Sequence, residues 1–330
     1  MKSALPDLSE IERAEARIRK YIPPTPLVHS GRLSSLCGRE ISLKLEVSQP
    51  IHVFKIRGAL NKLLTLGDSA LKRGVVTASS GNHGLAIAYT SRLFGVNAVI
   101  CVPDSVNPQK LLAIQEQGAE VVRRGANYDK ANENALKIAR LRGLTFVHAF
   151  DDRDVIAGQG TCGLEMLDQS HEMDSTVVAI GGGGLISGIS IALKESRERV
   201  RVYGAETRAI PSMYRSLASR KRVVVTPKST IADGMQAATP GALTFEAATR
   251  FVDKVGLVND AEIKNAIYDL LAEAGVLAEP AGASPLAAMR GSLRKERGEN
   301  TVLVISGGNI SLALLSDILR DKLGVDAARE

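Results

Sequence analysis

A parallel, doubly wound α/β architecture is what this sequence predicts, and three observations predict it. From about Val75 onward, short β-branched runs alternate with amphipathic stretches. Glycine-rich or Ser-Gly turns follow several of these runs, at the strand ends where open α/β sheets bind ligands. The chain also has 330 residues, enough for one large or two ordinary domains with a true core. Strand–helix alternation of this kind favours parallel strands covered by helices.

Taken in order, the first strand-like run is Ile41-Ser42-Leu43-Lys44-Leu45. Val75-Val76-Thr77-Ala78 predicts a strand, and the pattern after it predicts a helix from Asn82 to about Phe94. Val99-Ile100-Cys101-Val102 is the next strand, and Pro108 opens a helix at a position where its missing N–H costs nothing. Val121-Val122 reads as a short strand, followed by a helix from about Tyr128 to Leu141 and a strand over Leu144 to His148. Val177 to Ile180 enters a glycine run with a helix after it. Val200 to Tyr203 follows, and Val302 to Ile305 enters Ser306-Gly307-Gly308. The charged run Asp151-Asp152-Arg153-Asp154 reads equally as a domain boundary or as an ordinary surface loop. No internal repeat is visible.

Composition narrows the function classes. Apolar residues make up 45% of the chain, as in a soluble globular protein, and no apolar run approaches the ~20 residues of a membrane span. Met1 to Asp7 holds no apolar stretch before charges begin, so no signal peptide is expected. Three cysteines (Cys37, Cys101 and Cys162) without CxxC spacing point to a reducing compartment, and the cytoplasm is the expected location. The net charge is +6, but Lys and Arg are dispersed. Aromatics are 4% with no Trp, which leaves nucleic acid without a stacking platform. Lys194, Arg197, Arg199 and Arg201, and Arg220-Lys221-Arg222, read as solvated faces.

The chemistry concentrates in a few segments. Gly181-Gly182-Gly183-Gly184 follows an apolar strand and precedes a helix, where backbone N–H groups can converge on a phosphate. A tight turn alone would need only one or two glycines. A dinucleotide fingerprint is a near miss, because Ser187 or Ile186 stands where the third glycine belongs. Lys55 lies between apolar Phe54 and Ile56, a setting that lowers an amine's pKa as imine formation requires. Taken alone, it is an ordinary surface lysine. Ser79, Ser80, Asn82 and His83 occupy a strand-to-helix junction and suit helix capping and carboxylate binding equally.

Together these segments resemble the tryptophan-synthase-β-like (fold type II) pyridoxal-phosphate enzymes, specifically the threonine/serine dehydratase and serine racemase group. The matching segments run in family order across nearly the whole chain. They are Phe54 to Ala59, Ala78 to Gly84, Ile156 to Thr161, Gly181 to Leu185, Ala232-Asp233-Gly234, Glu279 to Ala283 and Ser306 to Asn309. The resemblance implies two open, twisted, mostly parallel sheets wrapped by helices. A large domain (residues 1–52 plus 151–330) would enclose a small one (53–150). It makes Lys55 the Schiff-base lysine of pyridoxal 5'-phosphate, with Phe54 packed near the ring and Asn82 on the ring hydroxyl. Gly181, Gly182, Gly183, Gly184 and Leu185 would cradle the phosphate, and Ser306 would face the pyridine nitrogen. Ser79, Ser80, Gly81 and His83 would line the substrate carboxylate, with Ser80 on the ring face opposite Lys55.

The implied reaction is β-elimination from a β-hydroxy-α-amino acid to a 2-oxo acid and ammonia. A racemase or a non-catalytic binding relative are the alternatives. A homodimer is usual in the group. Two departures stand out. Ile51-His52-Val53 replaces the usual Thr-Gly-Ser, which opens a substrate-binding role for His52 and a bulkier or acidic substrate. Glu206 matches one acid of the cation site of some relatives, but Ser212 stands where a second would be, so no metal is expected.

Overall fold

The computed structural model describes residues 4–324, apart from 80, 105, 107 and 127. The chain begins with α1 (Leu8–Ile18), β1 (Leu27–His29), α2 (Gly31–Cys37), β2 (Glu40–Leu45), α3 (Lys55–Thr65) and α4 (Asp68–Arg73). A run of alternating units follows: β3 (Val75–Ala78), α5 (Asn82–Phe94), β4 (Ala98–Val102), α6 (Pro108–Gln115), β5 (Glu120–Arg123), α7 (Tyr128–Arg142) and β6 (Thr145–Phe146). After α8 (Arg153–Gln169) come β7 (Ser175–Ala179), α9 (Gly184–Ser196), β8 (Arg201–Thr207), α10 (Ser212–Ser219) and α11 (Ala242–Phe251). The rest is β9 (Lys254–Val258), α12 (Asp260–Ala274), α13 (Pro280–Arg290), β10 (Asn300–Ile305) and α14 (Leu312–Leu323).

Two mostly parallel sheets result. One has six strands in the order β1-β2-β10-β7-β8-β9, and the other four in the order β5-β4-β3-β6. Only the β1–β2 pair is antiparallel. The large sheet therefore joins strands from both ends of the chain, with β2 beside β10 in register from Glu40/Asn300 to Leu45/Ile305. Its central strands are buried on both faces, which is why they read as apolar runs rather than as alternating ones.

Strand β6 is shorter than the pattern Leu144 to His148 predicts. Val147 still donates to the Val76 carbonyl, but the His148 ring then accepts the amides of Phe150 and Asp151 and turns the chain away. The acidic run beyond it caps helices. Asp152 caps α8, and Asp151 takes the first amides of α11 at 2.8 Å from Ala242 and Leu243.

Helix α3, which starts at Lys55, is held by two devices. The first is close helix contact through glycines. A Cβ on Gly158 of α8 would stand 2.6 Å from the Arg57 carbonyl, and one on Gly188 of α9 would stand 2.4 Å from the Ile156 carbonyl. Glycine costs a helix about 1 kcal/mol relative to alanine, and here that cost admits backbones to direct contact. The second device is a buried four-charge knot. Arg57 donates to Glu46 and Glu165 at 2.8 Å, and Lys44 donates to Glu165 at 2.7 Å. Two cations and two anions cancel, as burial demands. Burial alone would push Glu46 up, but the Arg57 charge and hydrogen bonds outweigh it and hold the carboxyl at about 2.

Candidate active site

Strand β3 ends at Ala78, and the chain passes Ser79 and Gly81 into α5. Strand β7 ends at Ala179 and leads through the glycine run into α9. Strand β10 ends at Ile305 and leads through Ser306 to Asn309. Three strand ends thus supply three short loops, and α3 brings in Lys55. The loops are stitched to one another. Phe54 donates its backbone N–H to the Ser306 carbonyl at 3.0 Å, and Gly308 donates to the His52 carbonyl at 2.9 Å. Val53, fully buried, forms an isolated bridge with Gly307.

The Lys55 amine is enclosed by protein, although the residue keeps some contact with solvent. Its Nζ donates to the Ala149 carbonyl at 2.8 Å and lies 5.2 Å from the Phe54 ring centre. Lost hydration draws the amine down to about 8, against an upward pull from Glu279. Two histidines flank the same segment. His83 is buried and held well below its usual range, first by burial and then by the Lys55 charge. Its Nε2 lies 3.3 Å from the Val147 carbonyl. Burial lowers His148 as well.

Phe150, next to Ala149, lies over the glycine run. A Cβ on Gly182 would fall 2.3 Å from its ring, and one on Gly181 would fall 2.7 Å from the Gly234 carbonyl. Gly183 takes φ +94, which only glycine adopts readily, and no side chain caps the α9 amides that follow. Consecutive residues, Ala149 and Phe150, therefore touch the amine and the glycine loop.

Asn82 is half-buried and held at both ends of its amide. Its Nδ2 donates to both Glu279 oxygens, at 2.8 and 3.0 Å, and its Oδ1 accepts from Asn309 Nδ2 at 2.9 Å. Ser79 accepts the Gly81 amide at 3.2 Å. Ser306 is buried at the end of β10. His52 is exposed at φ 57, and its Nδ1 meets the Val47 carbonyl at 3.1 Å. Ser80 lies outside the described residues. Glu206, the acid considered for a cation, instead accepts the amides of Met213 and Tyr214 at 2.8 Å and so caps α10; burial raises it to about 7.

Sequence reasoning gave no role to Glu279, Asn309, Ala149 or Phe150. The one local signal for Glu279 was an acid standing in the run Ala278-Glu279-Pro280-Ala281.

These features fit a phosphorylated aldehyde. An enclosed amine of lowered pKa, in no ion pair among the described residues, is what imine formation needs. A glycine cradle that any Cβ would fill, opening onto uncapped amides, is what a phosphate needs.

Comparison with known proteins agrees. Residues 18–307 match the family model described as pyridoxal-phosphate dependent enzyme. The chain is 42% identical over 316 residues to L-threonine ammonia-lyase of Thermotoga maritima, covering 96% of this chain and 79% of that protein. It is 37% identical over 322 residues to the catabolic L-threonine dehydratase of Staphylococcus aureus, covering 96% and 93%. Maize serine racemase superposes with a TM-score of 0.92 at 32% identity, over 98% of this chain and 99% of that one. No helix among the described residues is long and apolar enough to cross a membrane. With an enclosed amine, a glycine turn suited to a phosphate and a match spanning nearly the whole chain, this protein belongs to the pyridoxal-phosphate-dependent enzymes and uses pyridoxal 5'-phosphate as its cofactor.

Proposed function

We propose that this enzyme eliminates the β-hydroxyl of a β-hydroxy-α-amino acid, threonine, serine or a bulkier analogue, to yield a 2-oxo acid and ammonia. The observation that carries the reading is the enclosed Lys55 amine, which shares the Ala149–Phe150 segment with the glycine cradle. The relatives named as threonine ammonia-lyase and dehydratase set the substrate class.

Bound at Lys55, pyridoxal phosphate supplies an electron sink that acidifies the substrate's α-carbon. The residues do the rest. Gly181 to Gly184 and Leu185 hold the phosphate with backbone amides, Phe54 packs near the ring, Asn82 meets the ring hydroxyl and Ser306 faces the pyridine nitrogen. A neutral hydroxyl at Ser306 would not hold that nitrogen protonated, which would favour expulsion of the β-group over transamination. Ser79, Ser80, Gly81 and His83 receive the substrate carboxylate. With its amine free, Lys55 would remove the α-proton as general base; at about 8 that amine has an unprotonated share near neutrality. The reading includes a large lobe of residues 1–52 plus 151–330 and a small lobe of 53–150, a division that the separate six- and four-stranded sheets support. A cytoplasmic homodimer completes the reading.

The test is 2-oxo-acid formation over a panel of threonine, serine, 3-hydroxyaspartate and phenylserine. Lys55→Ala is expected to lower turnover by at least about 10²-fold, and borohydride is expected to trap cofactor on Lys55 in the parent protein only. Retained dehydratase activity in Lys55→Ala would overturn the assignment. The likeness to maize serine racemase favours racemisation as a second reading, which chiral analysis of recovered substrate decides.

A further inference from the structure

We propose that Glu279 is a positioning residue for this reaction. It fixes the Asn82 amide and stands as counter-charge to Lys55 while that amine carries the substrate's α-proton. The inference rests on the reading of Lys55 as the base.

Glu279 sits at the N-cap of α13 and is 4% exposed, yet its side chain caps nothing in that helix. Asn82 is its hydrogen-bond donor among the described residues. Space is kept for the carboxylate: a Cβ on Gly307 would stand 2.5 Å from Oε1, and the Glu279 amide is tied to the Gly307 carbonyl at 2.9 Å. Burying a carboxylate is costly, and helix capping does not account for it here.

The amide orientations follow from one backbone oxygen. The Ile51 carbonyl can only accept, so the Asn309 atom 3.1 Å from it is the nitrogen. That same nitrogen lies 2.9 Å from Asn82, whose facing atom must then be oxygen. The Asn82 nitrogen is thereby turned to Glu279, which as a carboxylate only accepts. Glu279 and Asn309 lock Asn82 from its two ends.

Charge supplies the second role. The groups facing Glu279 are Lys55 from α3, Asn82 from α5, Lys110 from α6 and Asp233 from the turn before Gly234; Lys110 and Asp233 pair with each other. Glu279 is the acid whose field acts on Lys55, whereas the neighbouring His83 and His148 are both held below their usual range. During elimination the Cα–H bond breaks, its electron pair stays with the substrate carbon and the proton passes to the Lys55 amine. The electron pair then expels hydroxide, which leaves as water with one proton, and Lys55 ends neutral. Burial raises Glu279 to about 7, and the ammonium that forms in between draws it toward the ionised form and lies in the field of that carboxylate.

The experiment compares Glu279→Gln with Glu279→Asp. In cofactor-loaded protein, Gln is expected to lower kcat at least about tenfold while KM changes less than about threefold, with a larger α-deuterium isotope effect. Asp is expected to recover most of the loss. Independently of turnover, cyanate carbamylation of Lys55 in cofactor-stripped protein, followed by peptide mass spectrometry across pH, is expected to show a lower midpoint in Gln than in the parent. An unchanged midpoint in folded Glu279→Gln, or a loss shared by kcat and KM without an isotope-effect change, overturns the proposal. Should Glu279→Gln not fold, exposed Asp233→Asn removes a repulsion on Glu279 and is expected to raise the Lys55 midpoint; no change there also overturns it. Failure of the underlying reading looks different, because borohydride then traps no cofactor on Lys55.

Discussion

At the scale of single residues, His52 shows how backbone geometry and side-chain chemistry compete for one position. Its φ of 57 lies in the left-handed region, which disfavours a Cβ by about 1–2 kcal/mol. The group usually carries glycine here, and the backbone gives the reason. The imidazole is exposed and bonded to Val47, so among the described hydrogen bonds nothing links it to Lys55 or Asn82. His52→Gly is therefore expected to be at least as stable as the parent and to keep its ranking of substrates. His52→Val places a β-branched side chain at that φ and is expected to lose about 1–2 kcal/mol in urea denaturation. A changed substrate ranking in His52→Gly would support a specificity role for the ring.

Elements are positioned mainly by helix α8, which touches both α3 and α9 through glycines. The segment Ile156 to Thr161 is one of those that carry the family resemblance in the sequence. In the fold it is helix interior, and its glycines admit neighbouring backbones. A Cβ on Gly188 would meet the Gly160 nitrogen and the Ile156 carbonyl oxygen at 2.4 Å, atoms that cannot rotate away. Gly188→Ala is expected to destabilise the protein by about 2–3 kcal/mol and to weaken cofactor retention, since α9 carries the glycine cradle at its start. Chemical denaturation with and without added pyridoxal phosphate measures both effects.

Across the whole molecule, the enclosed acids divide into two groups whose effects on stability have opposite signs. Glu46 is held at about 2, below its ordinary 4.5, by Arg57. Its contribution is full above 4.5 and is lost as pH falls toward 2. Glu206 and Glu279 are raised by burial to about 7 from 4.5, so the folded state holds protons there that the unfolded chain has released. Stability from that source declines as pH rises from 4.5 to 7. The urea midpoint of cofactor-stripped protein is expected to peak between about pH 4.5 and 6, and Glu206→Gln is expected to flatten the alkaline side of that profile.

The run from Gly181 to Gly184 and the strand–helix alternation were legible in the chain itself, as local patterns set by the backbone freedom of adjacent glycines and by side-chain period. Lys55 and Asn82 were singled out only by the resemblance to a family. Assembly decided what stands opposite them. Asn82 meets Glu279 across 197 positions, Lys55 meets the Ala149 carbonyl across 94, and Asp151 caps a helix 91 residues on. Partners so distant leave no periodic trace, because hydrogen bonding and charge depend on separation in space. Sequence alone therefore determined the parallel α/β scaffold and a glycine turn of the kind that suits a phosphate. Only the tertiary structure decided which carboxylate shares the amine's enclosure, since burial and proximity arise when the two sheets and α3 come together.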